Sequence, residues 1–246
     1  MQPGSHKKLN RWGKKAAPAL SRVLNRSPMV GLVSMISWYL AFIQGKGSGA
    51  GWDLEAEIKG ALSAIRRDSH ESLVLFDVGA NVGDWTEGML AALGDGCAIY
   101  QFEPTLECRE ILLQKSRPNV VLVPYGVGAE EGEAEIYSIS GVKAKSASLY
   151  ARKDTCFEDR SYTKETIRIT TIDDFVDQNN MDRIDFMKMD IEGHEYAALK
   201  GAVKTLERGA IAALTFEFGT GNINSRTYFR DFWDLLTPLG YRISRI

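Results

Sequence analysis

The stretch LVLFDVGANVG, residues 73–83, decides the fold class. Its first four residues are apolar and uninterrupted, which is typical of a parallel strand that is buried on both faces. Asp77 ends the apolar run, and the turn that follows contains Gly79, Asn81 and Gly83. A strand, a glycine-rich turn and a helix in this order build nucleotide sites, because glycine lets a ligand approach the backbone closely. A purely structural turn is the alternative interpretation of this stretch alone.

The rest of the chain repeats the alternation of apolar strands and amphipathic helices. Strands are predicted at residues 98–102 and Val120–Val123, and helical patterns follow the first two strands. Residues 184–189 and 211–218 predict two more buried strands, and residues 241–246 predict a last one. The sequence therefore predicts an α/β fold with a doubly wound parallel sheet.

Two further candidates lie at the same end of this predicted sheet. Glu103 ends the second strand, 20 residues after Gly83, and an acid at this spacing is placed to accept both hydroxyls of an adenosine ribose. Val127 lies in a tight turn after the third strand, where it would lie against an adenine ring. An exposed carboxylate and a plain connection are the respective alternatives.

Three titratable residues, Asp190, Glu192 and His194, follow the strand at residues 184–189. Alternate residues of an extended segment share one side, and ligands bind at the carboxyl ends of strands in such sheets. For His194, a solvent-facing position at a helix start is the alternative. Asp190, Glu192 and Glu217 offer oxygen ligands, but their spacing does not establish a metal site, and we predict none.

The turn G-x-N-x-G, with Glu103 downstream, suits S-adenosylmethionine better than NAD, because it is not the dinucleotide fingerprint. Three segments, FDVGANVGDWT (76–86), QFEP (101–104) and KMDIEGHE (188–195), together resemble the FkbM-type family of S-adenosylmethionine-dependent O-methyltransferases. The similarity extends over residues 73–241 and implies a Rossmann-like class I methyltransferase sheet. The implied acceptor is a hydroxyl of a sugar, glycan or polyketide-like metabolite. The expected cofactor-binding residues are Asp77, Gly79, Asn81, Gly83, Glu103, Val127 and Asp190.

Methyl transfer to a hydroxyl requires alignment of the reactants and a group that takes up the hydroxyl proton. Asp190 is the first candidate to position the acceptor or the cofactor, and Glu192 and His194 are the candidate bases. An imidazole suits this task near neutral pH. In the family that the chain resembles, the acids of D-x-E-G-x-E are characteristic, whereas the residue at the position of His194 varies. We therefore do not expect His194 to be the sole base.

Two other functions stay open on the sequence alone. A nicotinamide oxidoreductase would share the fold and Glu103, although the G-x-N-x-G turn speaks against it. A non-catalytic, membrane-attached binding module on the same fold is the other alternative. The intact motif residues Asp77, Gly79, Glu103 and Asp190 speak against such a loss of activity.

The N-terminal residues 1–51 differ in composition from the rest. The first 26 residues contain seven basic residues and no acid, and the apolar run Met29–Ile43 and a glycine-rich linker at residues 45–51 follow. A helix packed on the catalytic domain, an interfacial membrane helix, and a span or signal peptide are the three interpretations. We therefore predict a helical extension over residues 1–51 and a methyltransferase domain over residues 52–246. Peripheral membrane association would involve residues 7–45.

Composition limits the partners. The net charge of −2 and the pI near 6.0 give no case for nucleic-acid binding. Three cysteines without a CxxC spacing argue against a disulfide framework and a zinc site, so reduced thiols and a cytoplasmic location fit best.

The polar, irregular residues 140–164 are expected to form a lid or binding loop, with a solvated loop as the alternative.

Overall fold

The computed structural model of the protein describes residues 18, 21, 24, 29–43, 54–65, 72–139, 147–150 and 162–244. The chain divides into two units, Met1–Trp52 and Asp53–Ile246. The predicted linker, Cys156 and most of the predicted lid lie outside the described residues. The assignment of residues 1–51 and 52–246 to separate functions stays a prediction.

In the first unit, helix α1 spans Met29–Ile43 and contains no charged residue. It confirms the predicted helical character of the extension. Among the side chains of α1 that the structure describes, six large apolar ones are exposed: Val30, Leu32, Met35, Ile36, Tyr39 and Leu40. No helix in the described ranges is long and apolar enough to cross a bilayer.

The second unit contains a five-stranded parallel sheet with the strand order β3-β2-β1-β7-β8. The strands are β1 (Leu73–Val78), β2 (Cys97–Phe102), β3 (Val120–Val123), β7 (Phe186–Met189) and β8 (Leu214–Phe216). The chain winds outward from β1 to β3 and then returns to the other side of β1. The reversal leaves a switch point between the carboxyl ends of β1 and β7, where ligands bind in sheets of this kind. The predicted α/β doubly wound sheet is confirmed.

The remaining elements surround this sheet. The helices are α2 (Leu54–Ala64), α3 (Asp84–Leu93), α4 (Leu106–Gln114), α5 (Ile172–Gln178), α6 (Glu195–Lys200), α7 (Val203–Glu207), α8 (Gly221–Ser225) and α9 (Phe229–Leu236). A smaller sheet contains β4 (Gly126–Val127), β5 (Gly132–Ile139) and β6 (Tyr162–Thr170). In it, β6 pairs in parallel with β4 and antiparallel with β5.

Strand β1 is buried on both faces, as its apolar run predicts. On one face, Leu75 packs among side chains of α2 and α3 that include Trp85. On the other face, the ring of Phe76 lies 5.2 Å from that of Phe102 and 5.7 Å from that of Phe175 in α5. The sheet is therefore the middle layer between two sets of helices, and β1 is covered on both of its faces.

One local prediction is wrong. Gly83, with φ 89°, is the N-cap of α3 and has no side-chain cap, so Asp84 lies inside the helix. Residues 241–244 form no strand, although the sequence predicts one there. Instead, the Tyr241 hydroxyl donates a 2.6 Å hydrogen bond to the carbonyl of Ile211, so a side chain fastens this segment to the sheet.

Replacing Phe102 by alanine tests the central aromatic packing. Phe102 is 1% exposed, and its ring lies 4.8 Å from that of Phe175. We expect Phe102→Ala to lower the free energy of unfolding by about 3–5 kcal/mol, because it leaves a cavity beside β1. Urea denaturation measures this change. Leu113→Ala is the matched control, because Leu113 is 63% exposed on α4. Equal losses in both variants would contradict this account of the core.

Candidate functional site

The turn after β1 lies directly against the end of β7. Gly79 has φ 84°, a backbone conformation that suits glycine. A Cβ atom at Gly79 would overlap the carbonyl oxygen of Asp190. Any other residue at position 79 would therefore be strained and would push the turn away from β7.

Four amides of this turn, those of Gly79, Ala80, Asn81 and Gly83, donate hydrogen bonds within the protein. Those of Gly79 and Ala80 donate to the carbonyl of Phe102, at 3.0 and 3.1 Å. The amide of Asn81 donates to Glu103. Two carboxylates, of Asp84 and Glu87, lie in the first turn of α3. A diphosphate requires free N–H groups and no negative charge at a helix start, so this arrangement disfavours a dinucleotide.

Glu103 connects the end of β2 to the turn after β1. Its Oε1 atom accepts hydrogen bonds from the amide and hydroxyl of Thr105, at 2.9 and 2.6 Å, and Oε2 accepts from the amide of Asn81 at 2.9 Å. Burial raises the pKa of Glu103, although these hydrogen bonds act in the opposite direction. A carboxylate accepts about four hydrogen bonds, so one acceptor position on Oε2 remains for a ligand hydroxyl.

Lys188 of β7 lies between two carboxylates. Its Nζ atom is 3.6 Å from Oδ1 of Asp77 and 3.5 Å from Oδ2 of Asp190. Burial works against the charge of Lys188, but the two carboxylates outweigh it and raise its pKa. Asp77 is fully buried, and its Oδ2 atom accepts a 2.8 Å hydrogen bond from the Thr86 hydroxyl. Asp77 thus contacts the site through Lys188, whereas the side chain of Asp190 is 45% exposed.

The turn that connects β7 to α6 is held from within by Glu195. Its Oε1 atom accepts hydrogen bonds from the amides of Ile191 and Gly193, at 3.0 and 3.2 Å. In the described part of the chain, its Oε2 atom is buried without a hydrogen-bond partner. Burial raises the pKa of Glu195 to about 7. The turn contains two left-handed residues, Glu192 at φ 55° and Gly193 at φ 100°, so it is a bent segment and not an extended one.

His194 fastens a neighbouring segment to this turn. Its Nδ1 atom lies 2.9 Å from the hydroxyl of Tyr150, and the Ser148 hydroxyl donates a 3.1 Å hydrogen bond to the carbonyl of Glu192. Burial, followed by the charge of Lys200, lowers the pKa of His194 to about 4. Ser148 and Tyr150, which belong to the predicted lid, therefore contact the turn between β7 and α6.

Glu217 is the residue of this edge that the predicted site omits. It follows β8, and its amide donates a 3.1 Å hydrogen bond to the carbonyl of Met189. The residue is exposed as a whole, but its carboxyl group is partly covered and donates a hydrogen bond to Asp190 when protonated. This burial, and then the charges of Asp190, Glu192 and Glu195, raise the pKa of Glu217 to about 8. The sequence signal that could have identified Glu217 is the same one that identifies Glu103, namely an acid at the end of a predicted strand.

Most of the predicted site residues thus meet along one edge of the sheet. The ones that do are Asp77, Gly79, Asn81, Gly83, Glu103, Asp190, Glu192 and His194. Val127, in contrast, is 3% exposed and packs in the core, so only its backbone could face a ligand. No set of three or more His, Cys, Asp or Glu side chains in the described ranges is arranged to hold a metal ion. The functional roles of these residues stay predictions.

Comparisons with known proteins agree with the sequence motifs. Residues 77–243 match the family model of the methyltransferase FkbM domain. The hexuronic acid methyltransferase AglP of Haloferax volcanii is 24% identical over 188 residues, which cover 74% of this chain and 71% of that protein. The crystal structure of methyltransferase FkbM from Methylobacillus flagellatus aligns with a TM-score of 0.38 and 22% identity. That alignment covers 59% of this chain and 32% of the other, so the chain spans about a third of that protein's length.

Glu195→Gln tests whether a buried carboxyl group holds the turn after β7. Because burial raises the pKa of Glu195 from 4.5 to about 7, the folded state binds its proton more tightly than the unfolded chain does. The contribution of Glu195 to the free energy of unfolding is therefore greatest below pH 4.5 and falls as the pH rises through 7. For Glu195 this loss amounts to about 3 kcal/mol. We expect Glu195→Gln to flatten the pH dependence of the free energy of unfolding by this amount. An unchanged slope in urea denaturation between pH 5 and 8 would contradict the assignment.

Proposed function

The chain belongs to the FkbM methyltransferase family, and we propose that it transfers a methyl group from S-adenosylmethionine to a hydroxyl of a sugar acceptor. The observation that carries the choice of cofactor is the negative charge at the switch point. Asp190 and Glu192 follow β7 at this point, and the side chain of Asp190 is 45% exposed. Such an edge suits a sulfonium cation and repels a diphosphate.

The residues of the turn after β1 fit this cofactor. Gly79 lets the turn lie directly against Asp190, and Oε2 of Glu103 retains one acceptor position for a ribose hydroxyl. Asp190 is exposed at the adjacent strand end. We assign cofactor contacts to these three residues, with Asn81 and Gly83 shaping the turn and Val127 contributing only backbone. Asp77 acts indirectly, because its carboxylate holds Lys188.

The chemistry divides between the cofactor and the chain. When bound, S-adenosylmethionine supplies a methyl group on a positively charged sulfur, which is a good leaving group. The chain aligns the acceptor with this methyl group and removes the hydroxyl proton. Lys188 holds Asp190 in place from one side, and His194 connects the site to Tyr150. We therefore assign His194 a positioning role.

A sugar is the acceptor class that the comparisons favour. AglP is a hexuronic acid methyltransferase, and it aligns with 74% of this chain. We therefore propose a sugar or glycan hydroxyl in preference to a polyketide-like one. Membership of a methyltransferase family decides against the oxidoreductase and the non-catalytic binding module.

Calorimetric titration tests the cofactor. We expect the protein to bind S-adenosylmethionine and its demethylated product but not NAD. Gly79→Ala should weaken this binding at least about tenfold, because the new Cβ displaces the turn from Asp190. Gly96→Ala is the control, because a Cβ there meets nothing within 4 Å. Binding of NAD, or of neither S-adenosylmethionine nor its product, would refute the proposal.

We also propose that α1 binds the surface of an anionic membrane. Its apolar side chains are exposed, with Met35 60% and Tyr39 58% accessible. Seven basic residues and no acid precede it within the first 26 residues. An apolar helix beside a basic segment combines hydrophobic insertion with attraction to anionic headgroups.

Vesicle co-sedimentation of the full chain tests this anchor. The wild type should sediment with vesicles that contain phosphatidylserine, and less so at high salt, because salt screens the basic segment. Substituting both Met35→Glu and Tyr39→Glu should abolish sedimentation, because two charges would enter the apolar surface. Leu113→Glu, on the exposed face of α4, is the control. Equal sedimentation of the double variant and the wild type would rule out α1 as the anchor.

A further inference from the structure

We propose that Glu217 is the catalytic base, taking the proton of the acceptor hydroxyl during methyl transfer, and that His194 is not. This inference rests on the proposed function and assigns a role to a residue outside the predicted site. It follows from the position of Glu217, its partner Asp190, the contacts of His194, and the apolar surface beside Glu217.

The position of Glu217 follows from strand register. Met189 of β7 pairs with Phe216 of β8, so the next residues, Asp190 and Glu217, lie side by side at the carboxyl edge. The hydrogen bond from the Glu217 amide to the Met189 carbonyl, 3.1 Å long, continues the pairing to this point. Glu217 therefore stands one strand away from the switch point, on backbone that the sheet holds in place.

The two neighbouring carboxyl groups are not equivalent. Oδ2 of Asp190 lies 3.5 Å from Nζ of Lys188, so a cation lies beside this carboxylate. Partial burial of Glu217, and then the negative charges of Asp190, Glu192 and Glu195, raise the pKa of Glu217 and favour its protonated form. Glu217 is thus suited to take up a proton, and Asp190 accepts the hydrogen bond that the protonated group donates.

His194 is poorly placed for the same task. Its Nδ1 atom contacts the Tyr150 hydroxyl at 2.9 Å, and its Nε2 atom lies 3.3 Å from the position that a Cβ on Gly128 would occupy. Nδ1 is therefore engaged with Tyr150, and Nε2 lies beside Gly128. Burial also lowers its pKa to about 4, which makes the imidazole a weak base.

An apolar surface next to Glu217 suits the ring of a sugar. Phe218 follows Glu217 directly and is 44% exposed, and its ring lies 5.5 Å from that of Phe229, which is also exposed. Exposed aromatic rings at the mouth of a site are typical of ligand-binding surfaces. The C–H face of a sugar would pack on these rings while one of its hydroxyls reaches Glu217.

The proposed step moves one proton and one methyl group. The oxygen–hydrogen bond of the acceptor breaks, and its proton passes to the ionised Glu217 carboxylate. The oxygen forms a bond to the methyl carbon, and the electron pair of the broken carbon–sulfur bond remains on sulfur. Glu217 then returns the proton to solvent, because it lies at the exposed edge of the site.

The pH dependence of kcat follows from the same arrangement. Glu217 must be ionised to accept a proton, and partial burial together with Asp190, Glu192 and Glu195 raises its pKa to about 8. We therefore expect kcat to rise as the pH increases through about 8, with an apparent pKa that belongs to the Glu217–Asp190 pair.

Steady-state kinetics of the full chain with S-adenosylmethionine and a panel of hexoses and hexuronic acids test the assignment. Glu217→Gln should lower kcat by about 100-fold or more and remove the rise near pH 8, with cofactor affinity unchanged by calorimetry. Glu217→Asp keeps a carboxylate and should recover part of kcat together with the rise. Phe218→Ala should raise KM for the sugar and leave the pH profile in place.

Glu110→Gln, an exposed carboxylate on α4, is the control and should match the wild type. Three results would overturn the assignment: a Glu217→Gln variant within about threefold of wild-type kcat, a retained pH rise in that variant, or a Glu217→Asp variant no more active than Glu217→Gln. A His194→Gln variant that loses the rise of kcat near pH 8, while Glu217→Gln keeps it, would also overturn the assignment. A wild type that binds S-adenosylmethionine but methylates no sugar in the panel would refute the proposed function as well.

Discussion

The buried ammonium group of Lys188 is the interaction on which the rest of the site depends. It lies between Asp77 at the end of β1 and Asp190 at the end of β7, within 3.6 Å of each. Removal of one partner of a buried ion pair leaves an uncompensated charge in a medium of low dielectric, which is strongly destabilising. Lys188 also offsets part of the repulsion among the carboxylates at this edge. An exposed acid, Asp190, and a fully buried acid, Asp77, can therefore both lie beside this one ammonium group.

Burial and hydrogen-bond partners divide the acids of this edge into two kinds. Glu103 and Glu195 accept hydrogen bonds from backbone amides and hold the turns after β1 and β7. Asp190 and Glu217 lie at the exposed edge and contact each other. Residues with the same chemistry thus have different roles, and only the hydrogen bonds that they accept and their solvent exposure distinguish them. The same reasoning makes His194 a positioning residue, because its ring contacts Tyr150.

Much of the fold was predictable because burial on both faces leaves a plain signal in the sequence. The uninterrupted apolar run of β1 is such a signal, and glycine at positions 79 and 83 marks left-handed turns. Predictions were wrong where one contact outside the local pattern decides the structure. The residues from Tyr241 onward look like a strand, but a side-chain hydrogen bond to Ile211 takes the place of backbone pairing.

The sequence by itself determined the α/β sheet, the family and the edge on which the site lies, because periodicity and motif spacing are local properties of the chain. It also identified most of the residues that meet there. Only the tertiary structure decided how these residues divide their roles. Asp77 is covered by Lys188, Val127 is buried in the core, and Glu217 lies beside Asp190 because β8 pairs with β7. Such roles depend on strand register and burial, which bring together residues far apart in the sequence.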